Sequence, residues 1–354
     1  MQSYHEQQDA INHKKLKMML QGLPPYCSEF IRGIEPHTSS RTRIGYTYDL
    51  EVFFRFLKRR NPVYRSIEIK EIPLTDLDML KAGDIEEYME YLKYPDIDSG
   101  DEKCDDNITV NKERGVMRKL SSLRSFYNYF FRREQIKTNP PSLVDMPKTS
   151  DKEILRLDID EVACLLDEVE SGDSLTGRQK SFHKLNMCRD LAIMTLLLGT
   201  GIRVSECVGL DISDVDFKNA GIRIHRKGGN EATVYFGPEV EDALRDYLDH
   251  RQLITASEGS EEALFLSLRK SRITVRSVEV LVKKYSQMVT PLKKITPHKL
   301  RSTYGTNLYR ETGDIYLVAD VLGHKDVNTT KKHYAALQED RRRSARTAVK
   351  LREP

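Results

Sequence analysis

One clear stretch of this 354-residue chain carries the two-residue alternation of a β-hairpin, and it limits what the rest can be. Ile222 and Ile224 alternate with polar residues, Gly228-Gly229-Asn230 offers a turn, and Thr233-Val234-Tyr235-Phe236 returns. On both sides of it the apolar residues recur at helical spacing. Tyr46, Leu50, Phe53, Phe54 and Leu57 fall on one face; so do Ile85, Tyr88, Met89 and Leu92, and again Leu120, Leu123, Tyr127 and Phe130. Their aromatic members read as packing of a small all-helical core rather than as bases' stacking partners. Further on, Asp158 with Glu161 opens a helix containing Val162, Leu165 and Leu166, and Leu191 to Leu198 reads as a buried helix ending at Gly199. After Gly237-Pro238 the helical pattern resumes at Val240, Leu244, Tyr247 and Leu248. The expected fold is mainly α, with a helical N-terminal half and a mixed α/β C-terminal half.

The length suits two cores rather than one. Thr138-Asn139-Pro140-Pro141 through Pro147-Lys148-Thr149-Ser150 reads as an extended connection, because proline restricts both itself and the residue before it. The expected division is an N-terminal extension (1–22), a helical domain (23–137), a linker (138–153) and a second domain (154–354). Within the helical domain, residues 95–106 carry six acidic side chains around Ser99-Gly100 and read as a loop that DNA phosphates would repel.

A net charge of +3 does not announce a nucleic-acid binder, so any DNA contact must come from locally clustered charge. The segment leading into and through the third helical face supplies candidates in Lys112, Arg114, Arg118, Lys119 and Arg124, although such a face is as often simply solvated. Five cysteines without C-x-x-C spacing suggest neither a disulfide framework nor a zinc site. The longest nearly apolar stretch, Leu191 to Leu198, is far shorter than the ~20 residues a bilayer requires. A cytoplasmic protein without membrane insertion is expected.

The chemistry concentrates in the second half. Tyr334 stands ten positions after His324 of Leu322-Gly323-His324 and thirty-three after Arg301 of His298-Lys299-Leu300-Arg301. A phenol is a weak nucleophile, so a site built on it must surround a phosphodiester with fixed positive charge and hydrogen-bond donors. Arg203 and Arg301 offer planar, permanently charged forks for phosphate oxygens. His298 and Arg301, three apart after Pro297, share a helix face. Lys227 stands at the entrance to the Gly-Gly turn, with Arg226 beside it as a competing cation, and Glu206 follows Arg203 by three. Each of these alone is an ordinary surface residue; the set, in this order, is not.

From about residue 155 to the C-terminus the motifs Gly199-Thr200-Gly201-Ile202-Arg203, Arg226-Lys227-Gly228-Gly229-Asn230, His298-Lys299-Leu300-Arg301, Leu322-Gly323-His324 and Tyr334 resemble the tyrosine recombinase, or phage integrase, family. The resemblance implies a helical core-binding domain and a catalytic domain closing as a C-shaped clamp on DNA. It implies that Tyr334 attacks phosphorus to give a 3′-phosphotyrosine and a free 5′-hydroxyl. His298 would help accept the tyrosine proton, Arg203 and Arg301 would bind the scissile phosphate, His324 would hydrogen-bond it, and Lys227 would protonate the leaving 5′-oxygen, with Glu206 orienting the site. No metal or other cofactor is implied. Ser302 and Ala336 stand where many members have histidine.

More narrowly, Pro24-Pro25-Tyr26, Ile72-Pro73-Leu74 and the run from Thr296 to Tyr304 resemble the Xer recombinases that resolve chromosome dimers, and among them the longer XerS type that works alone. The implied partners are double-stranded DNA with an inverted-repeat site, three further copies completing a homotetramer on two such sites, and a regulatory protein. The basic tail, about 338–354, reads as a helix that folds back, binds DNA or docks on a neighbouring subunit. Two other functions fit the same residues: an integrase or excisionase of a mobile element, and a type IB topoisomerase, against which His298 argues because lysine is usual there.

Overall fold

The computed structural model describes residues 4–94, 110–148, 155–226 and 230–324 and divides into two compact units, Met1–Asp151 and Lys152–Pro354. The acidic stretch 95–106 lies outside the described residues, as do Lys227, Tyr334 and the tail.

The first unit is built from helices α1 (Tyr4–Leu20), α2 (Pro25–Gly33), α3 (Ser40–Arg60), α4 (Ala82–Lys93) and α5 (Glu113–Phe131). The helical faces legible in the sequence are those that meet: Leu50, Phe53, Phe54 and Leu57 of α3, Ile85, Tyr88 and Leu92 of α4, and Leu120, Leu123, Tyr127 and Phe130 of α5 are all buried in one cluster. Aromatic rings fill its centre, with Phe126 lying edge-on to Phe30 and Phe130 at centroid separations of 5.3 and 5.1 Å. Ser39 starts α3 by accepting from Thr42 N–H at 3.2 Å, and α1 packs along α3, its Asp9 accepting from Ser40 Oγ at 2.7 Å.

The stretch expected to be extended from Thr138 departs from that expectation. Pro140–Ser142 forms a 3₁₀ turn, Pro140, Pro141 and Val144 are buried, and Arg124 of α5 donates to the carbonyls of Pro141, at 2.8 Å, and Val144. The φ that proline fixes fits a 3₁₀ turn as well as an extended chain, and burying two pyrrolidine rings decides between them.

The second unit centres on α7 (Gly177–Thr200), buried on nearly every side from Ala192 to Leu198 and packed against α6 (Ile159–Ser171), α9 (Pro238–Gln252) and α11 (Pro297–Thr312). The end of α7 lies beyond the Gly199 expected from sequence. Gly201 is its left-handed cap, at φ 63°, while Gly199 lies inside the helix, where a Cβ would stand 2.4 Å from Val240 of α9, which accounts for the glycine. At the start of α6 the Glu161 carboxylate accepts from Asp158 N–H at 2.8 Å.

A three-stranded antiparallel sheet, β1 (Val215–Asp216), β2 (Gly221–His225) and β3 (Glu231–Tyr235), lies beside α8 (Val204–Gly209). The register pairs Ile222 with Val234 and His225 with Glu231, so the hairpin predicted from alternation is present, with the two-residue β1 added along its outer edge. Ile222 and Ile224 point inward and Arg223 outward. Removing each isoleucine from water contributes roughly 2 kcal/mol. Helix α10 (Val275–Val289) packs on α6, and α12 (Ile315–Leu322) follows α11 after Gly313. Among the described residues no helix is long and apolar enough to cross a membrane.

Candidate active site

The site is organised by the C-terminal end of α12. An α-helix leaves its last carbonyls without partners and carries partial negative charge there. Here the chain itself caps two of them: His324 N–H donates to Ala319 O at 2.9 Å and Gly323 N–H to Asp320 O at 2.8 Å, with Gly323 left-handed at φ 61°. The next three carbonyls each accept from a different arginine. Arg226 Nη2 donates to Val321 O at 3.0 Å, Arg301 Nη2 to Leu322 O, and Arg203 Nη2 to Gly323 O at 3.5 Å. Three guanidinium groups from the β2–β3 hairpin, from α11 and from the start of α8 thus converge on one helix end, and His324 is the next residue along.

Arg301 is the most enclosed of the three, 6% exposed, and its Nη1 donates to Gly201 O at 2.5 Å. It therefore ties the left-handed cap of α7 to the end of α12. A side chain at Gly201 would force a shift, since a Cβ would stand 2.4 Å from the Tyr304 ring. Tyr304 and Tyr309 pack with Ile315, Val318 and Leu322, and burial pushes the Tyr304 phenol up from its ordinary value, which suits packing rather than nucleophilic attack.

Arg203 precedes α8 and is held by Glu206, whose side chain is 4% exposed. Permanently charged and 38% exposed, Arg203 keeps one face open while the carboxylate fixes the other. His298 is exposed on the first turn of α11, opened by Pro297, one turn before Arg301 and on the same side of the helix. The structure thus brings Arg203, Glu206, Arg301 and His324 together, with His298 on the helix that carries Arg301; Lys227 and Tyr334 lie outside the described residues. Arg226, read from sequence only as a competitor of Lys227, is a structural member of the group. Among the described residues, no three His, Cys, Asp or Glu side chains are grouped to hold a metal ion.

The cations proposed from sequence to face DNA on α5 divide by what they touch. Lys112 and Arg114 are exposed at its start. Arg118, 55% exposed, donates at 2.6 Å to Asp49 of α3, which is 1% exposed and also accepts from Ser122 Oγ at 2.7 Å. Burial raises the Asp49 carboxyl, against the lowering effect of those partners. Lys119 is half-buried and donates to Asn111 Oδ1 at 2.8 Å, and burial with Arg118 nearby lowers its ammonium. Arg124 is half-buried, and its Nε and Nη2 donate to the Pro141 and Val144 carbonyls, so it also ties α5 to the turn that follows it. Asp49 was missed in the sequence; its only signal was a carboxylate directly beside the apolar set of α3.

A model described as the phage integrase family matches residues 156–341. The tyrosine recombinase XerC of Caldanaerobacter subterraneus subsp. tengcongensis is 34% identical over 333 residues, covering 91% of this chain and 86% of that protein. The XerC of Thermodesulfovibrio yellowstonii is 32% identical over 311 residues, 86% of this chain and 90% of that one. Among solved structures, the XerH site-specific recombinase in a post-cleavage complex with palindromic difH superposes with a TM-score of 0.64 at 16% identity, over 87% of this chain and 80% of that one. The Tn1549 transposon integrase in complex with transposon right-end DNA gives 0.62 at 20% identity, over 91% and 99%. At such identities the two structures speak for the fold.

Proposed function

The chain belongs to the phage integrase family, and on that premise we propose that it is a site-specific DNA recombinase of the Xer kind, acting in chromosome dimer resolution. The observation that carries this reading is 34% identity to a XerC over 91% of the chain, helical half and catalytic half alike. A mobile-element integrase shares the fold at 20% identity, which is weaker ground.

In the proposed reaction the Tyr334 oxygen attacks the scissile phosphorus in line, and the bond from phosphorus to the 5′-oxygen breaks. The phenolic proton passes toward His298, and Lys227 gives a proton to the departing 5′-oxygen. Arg203, Arg301 and His324 neutralise the non-bridging oxygens. The phosphotyrosine keeps the energy of the broken bond, so a second 5′-hydroxyl can reverse the step without a cofactor. Two such exchanges on paired duplexes pass through a Holliday junction.

The finer reading has four copies on two inverted-repeat sites in the cytoplasm, coupled through the C-terminal tail, as a single recombinase of the XerS type and under a regulatory protein. Lys112 and Arg114, exposed on α5, fit phosphate contacts from the helical domain.

The test uses a duplex selected for binding from a random-sequence pool and nicked beside the cleavage position, so that the freed strand diffuses away. In EDTA the protein should become covalently attached to DNA, and Tyr334→Phe should abolish attachment. If the phenylalanine variant still forms the adduct, Tyr334 is not the nucleophile. If the unmodified chain attaches to no selected duplex, the recombinase reading fails.

A further inference from the structure

We propose that Arg226 is a positioning residue of this site: it clamps the turn end of the β2–β3 hairpin to the last turn of α12 and so sets where His324 stands relative to Arg203 and Arg301. The inference rests on the recombinase reading for its catalytic consequence, though not for its structural one.

Two observations point to a clamp, and a third sets its cost. The Arg226 guanidinium donates across 95 positions of sequence to Val321 O, joining two elements that share no backbone hydrogen bond among those described. It fills the space over Gly323 so closely that a Cβ there would stand 2.3 Å from its Nη1 and 2.5 Å from its Cζ. Its Nε is buried and has no partner among the described residues. A buried donor left unmatched counts against this placement, and the packing on Gly323 and the Val321 bond have to outweigh it.

The geometry explains why the clamp matters. Val321, Leu322 and Gly323 present consecutive carbonyls to Arg226, Arg301 and Arg203, and the left-handed turn at Gly323 sends the chain into His324. Arg203 is already fixed by Glu206, and Arg301 by Gly201. Without Arg226 the helix end keeps two of its three side-chain tethers and loses the one that packs on Gly323. The His324 ring then samples more than one position, which matters because hydrogen bonds to developing charge depend on placement to within a fraction of an ångström.

The experiment labels the full chain with ¹³C at histidine Cε1 and assigns the His324 signal by its loss in His324→Gln. Arg226→Ala should shift or broaden that signal, leaving those of His183 and His250, in the same unit, in place. On the nicked duplex the single-turnover cleavage rate should fall about tenfold to a hundredfold with DNA affinity within threefold, and Arg226→Lys, which restores one cationic donor, should recover part of it. Should Arg226→Ala disturb the His183 and His250 signals too, Arg226→Lys is read in its place: a His324 shift confined to that ring supports the clamp. An unmoved His324 signal in the folded variant overturns the proposal, as does a loss of DNA affinity equal to the loss of rate. If the unmodified chain cleaves nothing, the recombinase reading fails while the histidine signals still report on the clamp.

Discussion

Glu206 holds Arg203 at two points, its Oε1 accepting from the guanidinium at 2.8 Å and its Oε2 from the backbone N–H at 2.7 Å. One carboxylate therefore fixes both the direction of the arginine and the first turn of α8. Glu206→Ala should release both. Single-turnover cleavage is expected to fall about tenfold to a hundredfold with little change in DNA affinity, since the displaced group acts on the reacting phosphate. Equal losses of rate and affinity would place Arg203 in general DNA contact instead.

Gly201→Ala should be costly for a reason independent of charge. The residue sits at φ 63°, a conformation alanine adopts with strain, and the new Cβ would stand 2.4 Å from Tyr304 and 3.0 Å from Leu322. A loss of about 2–3 kcal/mol in denaturant unfolding is expected. Cleavage should fall as well, because the Gly201 carbonyl is an anchor of Arg301.

Gly323→Ala, also left-handed at φ 61°, would place its Cβ 2.3 Å from Arg226 Nη1, and the flexible arginine can yield only by leaving Val321 O. Removing the obstruction should relieve part of the damage. The double variant Arg226→Ala with Gly323→Ala is expected to be less destabilised than the sum of the two single variants, the difference measured by a double-mutant cycle in urea. Strict additivity would mean that the two residues do not touch.

On α5 the cations should separate by salt dependence. Lys112→Ala and Arg114→Ala are expected each to reduce the slope of log affinity against log salt by about 0.9, the loss of one phosphate contact. Arg124→Ala should leave the slope unchanged and lower thermal stability, because it frees the turn that Pro141 and Val144 close.

Alkaline pH should destabilise both units. Burial pushes the Cys207 thiol in the second unit from an ordinary 9.0 to about 12 and raises the Cys27 thiol in the first, and it raises the Tyr26, Tyr127 and Tyr285 phenols as well. An acid whose folded pKa lies above its unfolded value keeps its proton in the native state after the unfolded chain has lost it. Its stabilising effect is complete below pH 9 and is lost as pH rises through the folded pKa. The unfolding free energy from urea titrations should hold to about pH 9 and then fall, by up to about 1.4 kcal/mol per pH unit for each such group. Cys207→Ala should flatten that slope between pH 9 and 12.

The helical faces and the hairpin are legible in the sequence alone, for physical reasons that are local. Leu50, Phe53, Phe54 and Leu57 meet on one face because a helix repeats every 3.6 residues, and Ile222 and Ile224 because a strand repeats every two. His298 and Arg301 share a side of α11 by the same rule. Tertiary structure decided which acceptor each long cation reaches, and no spacing rule governs that choice. Arg124 resembled its neighbours on α5 until the Pro140–Ser142 turn folded under it, and Arg118 found a buried partner 69 positions away in Asp49. Arg226 looked like a companion of Lys227 until the end of α12 arrived 95 positions later with an open carbonyl. A guanidinium on a flexible stem can serve several acceptors at similar cost, and the choice among them is made only when distant helices pack and leave one within reach.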